Sequence, residues 1–396
     1  MALYFLINSL GGGGAERVVT RLSYKLNPKK IFLLEDRVQY SPPLEIEKLS
    51  TFTPADSPIL KTLYIPIYVR KLKKNLKKGD VVISFLERAN FVNALLGRKY
   101  KRIISIRNSI GARKGYHPYS FLIKKLYPLA DFIVVPNRML GYDLQNFVNL
   151  RKKQVKVIYN PLDIDEINRK SLESLEPLSF LKNYPYLVNI GRLTFQKGQW
   201  YLLRVFRELK RKQKELKLVL LGEGELKDYL VELAENLGLK TYVWDRDKLH
   251  EGYDVYFLGF KNNPYKFVKH SKAFVFTSLW EGFPNVVAES LAVGKTVIST
   301  DCRTGPREIL APDTDFLKET KKPEFAKYGV LMPTFERRKL KASEKLTREE
   351  KIWIETLQGL LEEEITLKEY EKKSPERAKD FEIEKIAKQW RKIIKL

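Results

Sequence analysis

One cysteine, Cys302, stands in a chain of 396 residues, beside three histidines and three methionines. A lone thiol excludes an internal disulfide framework and any thiolate-rich metal site, and it fits a cytosolic address. No uninterrupted apolar run is long enough to span a bilayer. Residues 2–10 are apolar but lack a basic leader and a cleavage site, so they read as a first strand. Low-complexity segments and internal repeats are absent too, which excludes solenoids and disordered tails. The length points to two domains, because a single core rarely organises this many residues.

Acidic residues are scarce in the first half. Residues 1–165 hold 29 Lys and Arg against 12 Asp and Glu, and the whole chain carries a net charge of +25. Between Ala89 and Ala130 there are nine basic residues and no acidic one. Such a surface suits an anionic partner, and nucleic acid or an anionic membrane leaflet are the two candidates. Around Lys71, Lys73 and Lys74, and again around Lys124 and Lys125, aromatic and aliphatic residues alternate with the charges. That mixture fits an element lying on a membrane surface. It fits equally an amphipathic helix whose lysines face water.

Apolar runs at residues 3–8, 30–34, 80–85, 103–106, 132–136 and 155–159 read as parallel strands separated by helical patterns, the rhythm of a doubly wound domain. A polar segment follows Asn160-Pro161-Leu162-Asp163. A second series then begins, at residues 186–190, 216–221, 255–258, 273–277 and 296–300. Near the end, Thr347-Arg348-Glu349-Glu350 has the form of a capping box. Ser374-Pro375-Glu376 reads as the start of a last helix, with Ile383, Ile386, Ala387, Trp390 and Ile394 on one face.

Three loops carry candidate chemistry. Gly11-Gly12-Gly13-Gly14 follows the first strand and precedes a helix, so backbone can approach a ligand there. Its spacing matches neither the dinucleotide fingerprint nor a phosphate-binding loop with lysine, and a tight structural turn remains an alternative. Gly191-Arg192-Leu193-Thr194-Phe195-Gln196-Lys197-Gly198 leaves the first strand of the second series with two cations that suit a diphosphate, Arg192 as a fork and Lys197 as a point charge. Glu281-Gly282-Phe283-Pro284-Asn285-Val286-Val287-Ala288-Glu289 places one carboxylate at a strand's end and a second in the next helix, with Asn285 as the expected cap. Two acids beside helix-terminal N–H groups suit a polyhydroxyl ligand bearing a phosphate, the alternative being a loop Glu and a solvated helix Glu that never meet.

Gly13 to Arg17, Asn160 to Asp163, Gly191 to Gly198, Leu221-Gly222-Glu223-Gly224, Leu258-Gly259-Phe260 and Glu281 to Glu289 together resemble the ordered motif series of the family-four retaining glycosyltransferases. The segments Gly13 to Arg17 and Gly259 to Lys266 are similar to bacterial enzymes that add N-acetylgalactosamine to polyprenyl-diphosphate-linked oligosaccharides. The resemblance implies an α/β, GT-B architecture of two Rossmann-like doubly wound domains facing across a cleft. Residues 1–170 would bind the acceptor and 171–373 the nucleotide sugar, with 374–396 crossing back onto the first domain. It further implies a transferase moving a hexose or N-acetylhexosamine from a UDP-sugar to a lipid-linked glycan, with retention. Arg192 and Lys197 would hold the donor diphosphate, Glu281 the sugar hydroxyls and Glu289 the ribose. The backbone of Gly282, Phe283, Pro284, Asn285 and Val286 would meet sugar or phosphate, and Phe260 and Lys261 the base. Glu281, Arg192 and Lys197 are the expected catalytic residues. Gly12, Gly13, Gly14, Arg17, Arg107 and Asn108 would serve an acceptor or phosphate. Arg107-Asn108 departs from the histidine many relatives carry there, and His117 nearby reads as a surface residue.

No cofactor is expected beyond the nucleotide sugar as substrate, and no catalytic metal, since no histidine cluster or convincing Asp-x-Asp pair occurs. The expected partners are the nucleotide sugar, a polyprenyl-diphosphate-linked glycan and an anionic membrane surface, without nucleic acid, at the cytoplasmic face. The alternatives are a glycosyltransferase with a soluble acceptor, a basic nucleic-acid-binding protein lacking the usual signatures, and a sugar-phosphate isomerase of the same shape.

Overall fold

A computed structural model describes residues 1–40, 42–107, 119–151 and 153–396. The chain divides into two compact units, one comprising Met1–Leu162 with Phe381–Leu396 and the other Asp163–Asp380. The boundaries therefore fall before residue 170 and after residue 374. Pro375 starts no helix. It lies inside the helix Glu364–Ala378, and a separate helix, Ile383–Lys395, follows.

In the first unit the strands are β1 (Leu3–Ile7), β2 (Lys30–Leu33), β3 (Ile46–Lys48), β4 (Val81–Phe85), β5 (Lys101–Ser105), β6 (Phe132–Val135) and β7 (Val155–Val157). They form one parallel sheet in the order β3-β2-β1-β4-β5-β6-β7. The central strands are buried along their length, which accounts for their near-continuous apolar sequence. One face packs against Tyr68 and Leu72 of the helix Ile65–Asn75, with Phe91, Tyr127 and Leu144. The other face is covered by Val18, Val19 and Leu22 of the helix Gly14–Leu26 and by Ile386, Trp390 and Ile393 of the last helix. Ile393 completes that buried stripe, and Ile394 packs against it half-buried. Arg391 donates to the Lys25 carbonyl at 2.7 Å, and Lys25 pairs with Glu384 at 2.7 Å, so the two helices are also joined at their rims.

In the second unit the strands are β8 (Tyr186–Ile190), β9 (Lys217–Leu221), β10 (Thr241–Val243), β11 (Val255–Phe257), β12 (Ala273–Phe276), β13 (Val297–Thr300), β14 (Glu324–Ala326) and β15 (Gly329–Met332). Their order is β10-β11-β9-β8-β12-β13-β15-β14, parallel except for the β14–β15 hairpin. The helix Gln199–Lys212 buries Trp200, Leu203 and Phe206 against the sheet, and Arg348–Glu362 adds Trp353 and Leu357. The capping box at Thr347 and Glu350 forms as its spacing suggests. Glu350 has a second task, because its carboxylate also accepts from the buried Arg204 at 2.6 Å. Three further Arg204 bonds, to the carbonyls of Lys341, Glu344 and Lys345, satisfy a guanidinium that would otherwise be costly to bury.

Candidate functional site

Strand order fixes which loops can share a ligand. In the second unit β8 has β9 on one side and β12 on the other. Crossovers leave β8 in opposite directions, and open parallel sheets bind ligands in the crevice at such a switch point, outside the strands' carboxyl ends. The loops along that edge follow β11, β9, β8, β12 and β13 in space. They carry Phe260 and Lys261, then Gly222 to Gly224, then Arg192 and Lys197, then Glu281 to Asn285, then Thr304 and Gly305. Motifs scattered over more than a hundred residues of sequence thus become one row.

Within the row the backbone is interlocked. Gly222 has φ +143°, and a Cβ there would lie 2.0 Å from the Gly191 carbonyl oxygen. Only glycine lets the loop after β9 lie so close to the loop after β8. Leu193 donates to the Glu223 carbonyl at 2.9 Å, and Leu226 donates to the Leu193 carbonyl at 2.9 Å. On the other side Leu279 donates to the Gln196 carbonyl at 2.8 Å, the Gln196 side chain to the Trp280 carbonyl at 2.8 Å, and the Thr277 hydroxyl to the Lys197 carbonyl at 3.0 Å. Phe260 donates its backbone N–H to the Glu223 carboxylate at 3.1 Å, and its ring is half-exposed.

Lys197 and Glu281 meet at the switch point, Nζ to Oε1 at 2.6 Å, both largely buried. Lys197 also lies 5.4 Å from the centre of the Phe276 ring. The ammonium thus lies between a carboxylate and an aromatic face, largely out of water, where electrostatic interactions with a neighbouring group are strengthened. Arg192 is exposed on the same loop, and its guanidinium has no hydrogen bond or ion pair among the described residues. Glu281 sits in the loop beyond β12 rather than at the strand's end. After it, Phe283 is buried and the helix Asn285–Ala292 carries the buried Glu289. Asn285 does not cap that helix. Pro284 occupies the capping position and Asn285 is the first helical residue.

The loop after β13 contributes residues that the sequence reading passed over. The Thr304 hydroxyl donates to the Glu281 carbonyl. Gly305, at φ +99°, packs so closely that a Cβ would lie 2.3 Å from Pro284 Cδ. Asp301 anchors this loop from below, accepting from Arg307 and from the Thr320 N–H at 2.7 Å. Burial raises the Asp301 pKa while Arg307 opposes the rise. Between them Cys302 is buried, and desolvation, with the Glu281 and Asp301 carboxylates, pushes its thiol well above the usual range. Locally, Gly305-Pro306 reads as a turn with a first-position proline five residues beyond β13, but nothing in that pattern ties it to Glu281.

In the first unit the switch point lies at β1 between β2 and β4. Gly12, Gly13 and Gly14 follow β1, and Gly13 is the residue before the helix Gly14–Leu26, with Arg17 in its first turn. Leu86, at the end of β4, has φ 72°, a strained conformation for a non-glycine residue at a sheet edge where ligands bind. After β5, Arg107 is buried. Its Nη1 donates to the Asn160 side chain, and its guanidinium lies 5.5 Å from the Phe85 ring centre and 5.9 Å from that of Trp390. Nε and Nη2 have no hydrogen-bond partner among the described residues. Burial pulls its pKa down, yet a guanidinium stays charged at ordinary pH. Asn108 and His117 lie outside the described residues. Lys71, Lys73 and Lys74 are exposed on the helix Ile65–Asn75, Lys71 donating to the Leu49 carbonyl at 2.7 Å. Lys124 and Lys125 are exposed on the helix Ser120–Leu126, with Lys124 4.8 Å from the Phe147 ring centre. Among the described residues no group of three or more His, Cys, Asp or Glu side chains is placed to hold a metal ion.

Comparison with known proteins decides what this pair of sheets belongs to. Two family models match, Glycosyltransferase Family 4 over residues 12–166 and Glycosyl transferases group 1 over residues 172–328. A Campylobacter jejuni relative, N-acetylgalactosamine-N,N'-diacetylbacillosaminyl-diphospho-undecaprenol 4-alpha-N-acetylgalactosaminyltransferase, is 32% identical across 98% of this chain and 97% of its own. The chain belongs to the family-four glycosyltransferases. An uncharacterized glycosyltransferase of Methanocaldococcus jannaschii is 36% identical to this glycosyltransferase over 89% of the chain and 88% of the relative. Among solved structures, Anabaena HepE in complex with UDP superposes with a TM-score of 0.73 at 18% identity, covering all of both chains. TarM superposes with a TM-score of 0.71 at 12% identity, over 100% of this chain and 99% of that one. These likenesses identify the fold of this glycosyltransferase as GT-B.

Proposed function

We propose that this glycosyltransferase moves a hexose or N-acetylhexosamine from a UDP-sugar to a polyprenyl-diphosphate-linked glycan, with retention, at the cytoplasmic face of a membrane. The observation that carries the reading is the Lys197–Glu281 pair at the switch point of the second sheet, with Arg192 exposed on the same loop. The acceptor class follows the undecaprenyl-diphosphate substrate in the name of the Campylobacter relative, and the strongly basic first unit supports it.

In this reading Arg192 and Lys197 take the donor diphosphate. Glu281 accepts hydrogen bonds from sugar hydroxyls, Glu289 from the ribose, and the segment at Phe260 and Lys261 meets the base. As the bond from the anomeric carbon to the diphosphate oxygen breaks, charge grows on UDP. Fixed cations and the positive end of the helix at Asn285 stabilise it, an electrostatic role that needs no bound metal. The acceptor hydroxyl adds to the same face of the anomeric carbon and gives its proton to the departing phosphate. Arg107, whose Nε and Nη2 have no partner among the described residues, and the Gly12 to Arg17 segment serve the acceptor's diphosphate.

The test is a donor screen against a polyprenyl-diphosphate sugar, read by mass, with product anomeric configuration assigned by NMR and a parallel reaction in EDTA. Transfer from a UDP-sugar with an α-linkage, undiminished by EDTA, is the expected result. Transfer to a free oligosaccharide in preference to the lipid-linked one would replace the acceptor assignment. Salt-sensitive DNA binding with no effect of UDP on heat unfolding would remove the donor reading.

A further inference from the structure

The short helix Pro58–Leu63 is turned inside out. Ile59 is 72% exposed, Leu60 56% and Leu63 70%, while its only lysine, Lys61, is 3% exposed. A surface helix normally does the opposite. The inversion is fastened from within. Lys61 Nζ donates to the carbonyls of Thr53 at 2.9 Å and Pro54 at 3.4 Å, and lies 3.4 Å from the buried Glu35 carboxylate, which also binds Arg88 at 2.6 Å. Rolling the helix to hide its apolar face would break that buried set, expose the lysine's two carbonyl partners and take from Glu35 one of its two cations, so the lysine holds the aliphatic side chains outward.

The apolar ridge does not end there. Ile67 is exposed on the following helix. The hydroxyls of Thr62 and Tyr119 approach to 3.4 Å, which sets the start of the helix Ser120–Leu126, with the exposed Phe121, beside the ridge. Arg70, Lys73, Lys74, Lys124 and Lys125 are exposed on the same two longer helices. No acidic residue occurs from Ser57 to Gly79 or from Tyr119 to Ala130. An apolar ridge with five cations on the adjoining helices, against the single exposed carboxylate of Asp56 at its start, complements a surface with anionic headgroups over acyl chains, since the lysines meet phosphates while the aliphatic side chains leave water.

We propose that Ile59, Leu60, Leu63 and Ile67, with Phe121, insert into an anionic lipid bilayer, and that the lysines act as the electrostatic rim of this insertion. The inference rests on the membrane-face reading above and deepens it, because lysines alone would give only a salt-labile contact. The occupant is a lipid surface, and a second copy of the chain is an outcome of the test.

The test is flotation of the full chain with phosphatidylcholine vesicles, with and without phosphatidylglycerol, at low and high salt. The triple variant Ile59→Ser, Leu60→Ser, Leu63→Ser should partition about tenfold or more weakly, given what several aliphatic side chains gain on leaving water. It should keep its melting temperature and its stabilisation by UDP. The quadruple variant Lys73→Gln, Lys74→Gln, Lys124→Gln, Lys125→Gln should lose the preference for phosphatidylglycerol and the salt dependence. Leu63→Cys carrying a nitrobenzoxadiazole dye reports insertion directly, because Cys302 is buried and its thiol pKa is raised. Brightening on anionic vesicles, quenched by nitroxide lipids, is expected. If the triple variant floats like wild type, or the dye stays in water while wild type floats, the ridge is overturned and a lysine-only membrane contact stands. If wild type floats with neither vesicle, the ridge and the membrane reading both fall. A dye that brightens without vesicles, in a protein sedimenting as a dimer, assigns the ridge to a second copy and overturns the proposal.

Discussion

The two sheet edges that carry the candidate chemistry are built on different principles. In the second unit the loops after β9, β8, β12 and β13 are tied to one another by backbone hydrogen bonds, by glycines that leave no room for a side chain, and by the buried Lys197–Glu281 pair. In the first unit the backbone of Leu10 is bonded to Arg37 and Gln39, but the glycines that follow it touch side-chain ends. A Cβ on Gly12 would meet the Gln39 amide oxygen at 2.8 Å, and one on Gly13 the Glu16 carboxylate at 2.3 Å, both at the ends of flexible side chains. Among the described residues Arg107 nearby has one hydrogen-bond partner, Asn160, and two nitrogens, Nε and Nη2, without one. One edge is pre-organised for a single chemical pattern, and the other can adjust by moving side chains. That contrast fits the proposal above, in which the second unit's edge takes the donor and the first unit's edge the acceptor.

The sharpest way to break the comparison is to remove the charge at the rigid edge. Lys197→Ala should lower kcat by about a hundredfold to a thousandfold, the usual loss when a fixed group stabilising transition-state charge is deleted. A loss confined to KM, in steady-state assays with a saturating acceptor, would reduce Lys197 to a binding role. Next comes Gly222→Ala, which places a Cβ against a carbonyl oxygen at a positive φ. It should cost about 2 kcal/mol or more, because backbone has to shift. Chemical denaturation measures it, and a loss within error would show that the two loops are not locked. Arg192→Ala should weaken UDP about tenfold, read by calorimetry, while the fold's stability stays unchanged, since the side chain is exposed. The smallest effect belongs to the adaptable edge. Gly12→Ala displaces only the end of Gln39 and should change stability by under about 0.5 kcal/mol. If it matched Gly222→Ala in denaturation, the two edges would be equally rigid and the contrast would collapse.

Much of this was legible in the residues, for identifiable reasons. The buried parallel strands were visible because burial on both faces demands continuous apolar runs, as in β1 and β4. The capping box at Thr347 was visible because it depends on two residues three apart. The short edge strands β3, β10 and β14, with Ile46, Thr241 and Glu324 among their residues, escaped, as did β15, four buried residues inside the sheet that open on Gly329. Each of the three edge strands has three residues, and edge position supplies pairing without an apolar signature. Pro375 misled, since proline favours a helix start yet also occurs inside the helix Glu364–Ala378. At the site, Arg192, Lys197 and Glu281 stood out through charge in loops after strands. Thr304 and Gly305 did not, because their contribution depends on β13 lying beside β12, a fact of sheet order that no local pattern carries.

The last helix puts a constraint on how this polypeptide is made. Trp390 fills the core of the first unit beside Phe5 and Phe85, but it is translated after every residue of Asp163–Asp380. The first unit therefore leaves the ribosome with only the helix Gly14–Leu26 on that face of its sheet, and must wait through the synthesis of the entire second unit before the rest of the face is closed. Birth order and folding order differ here, and the nascent first unit is the species most in need of a chaperone.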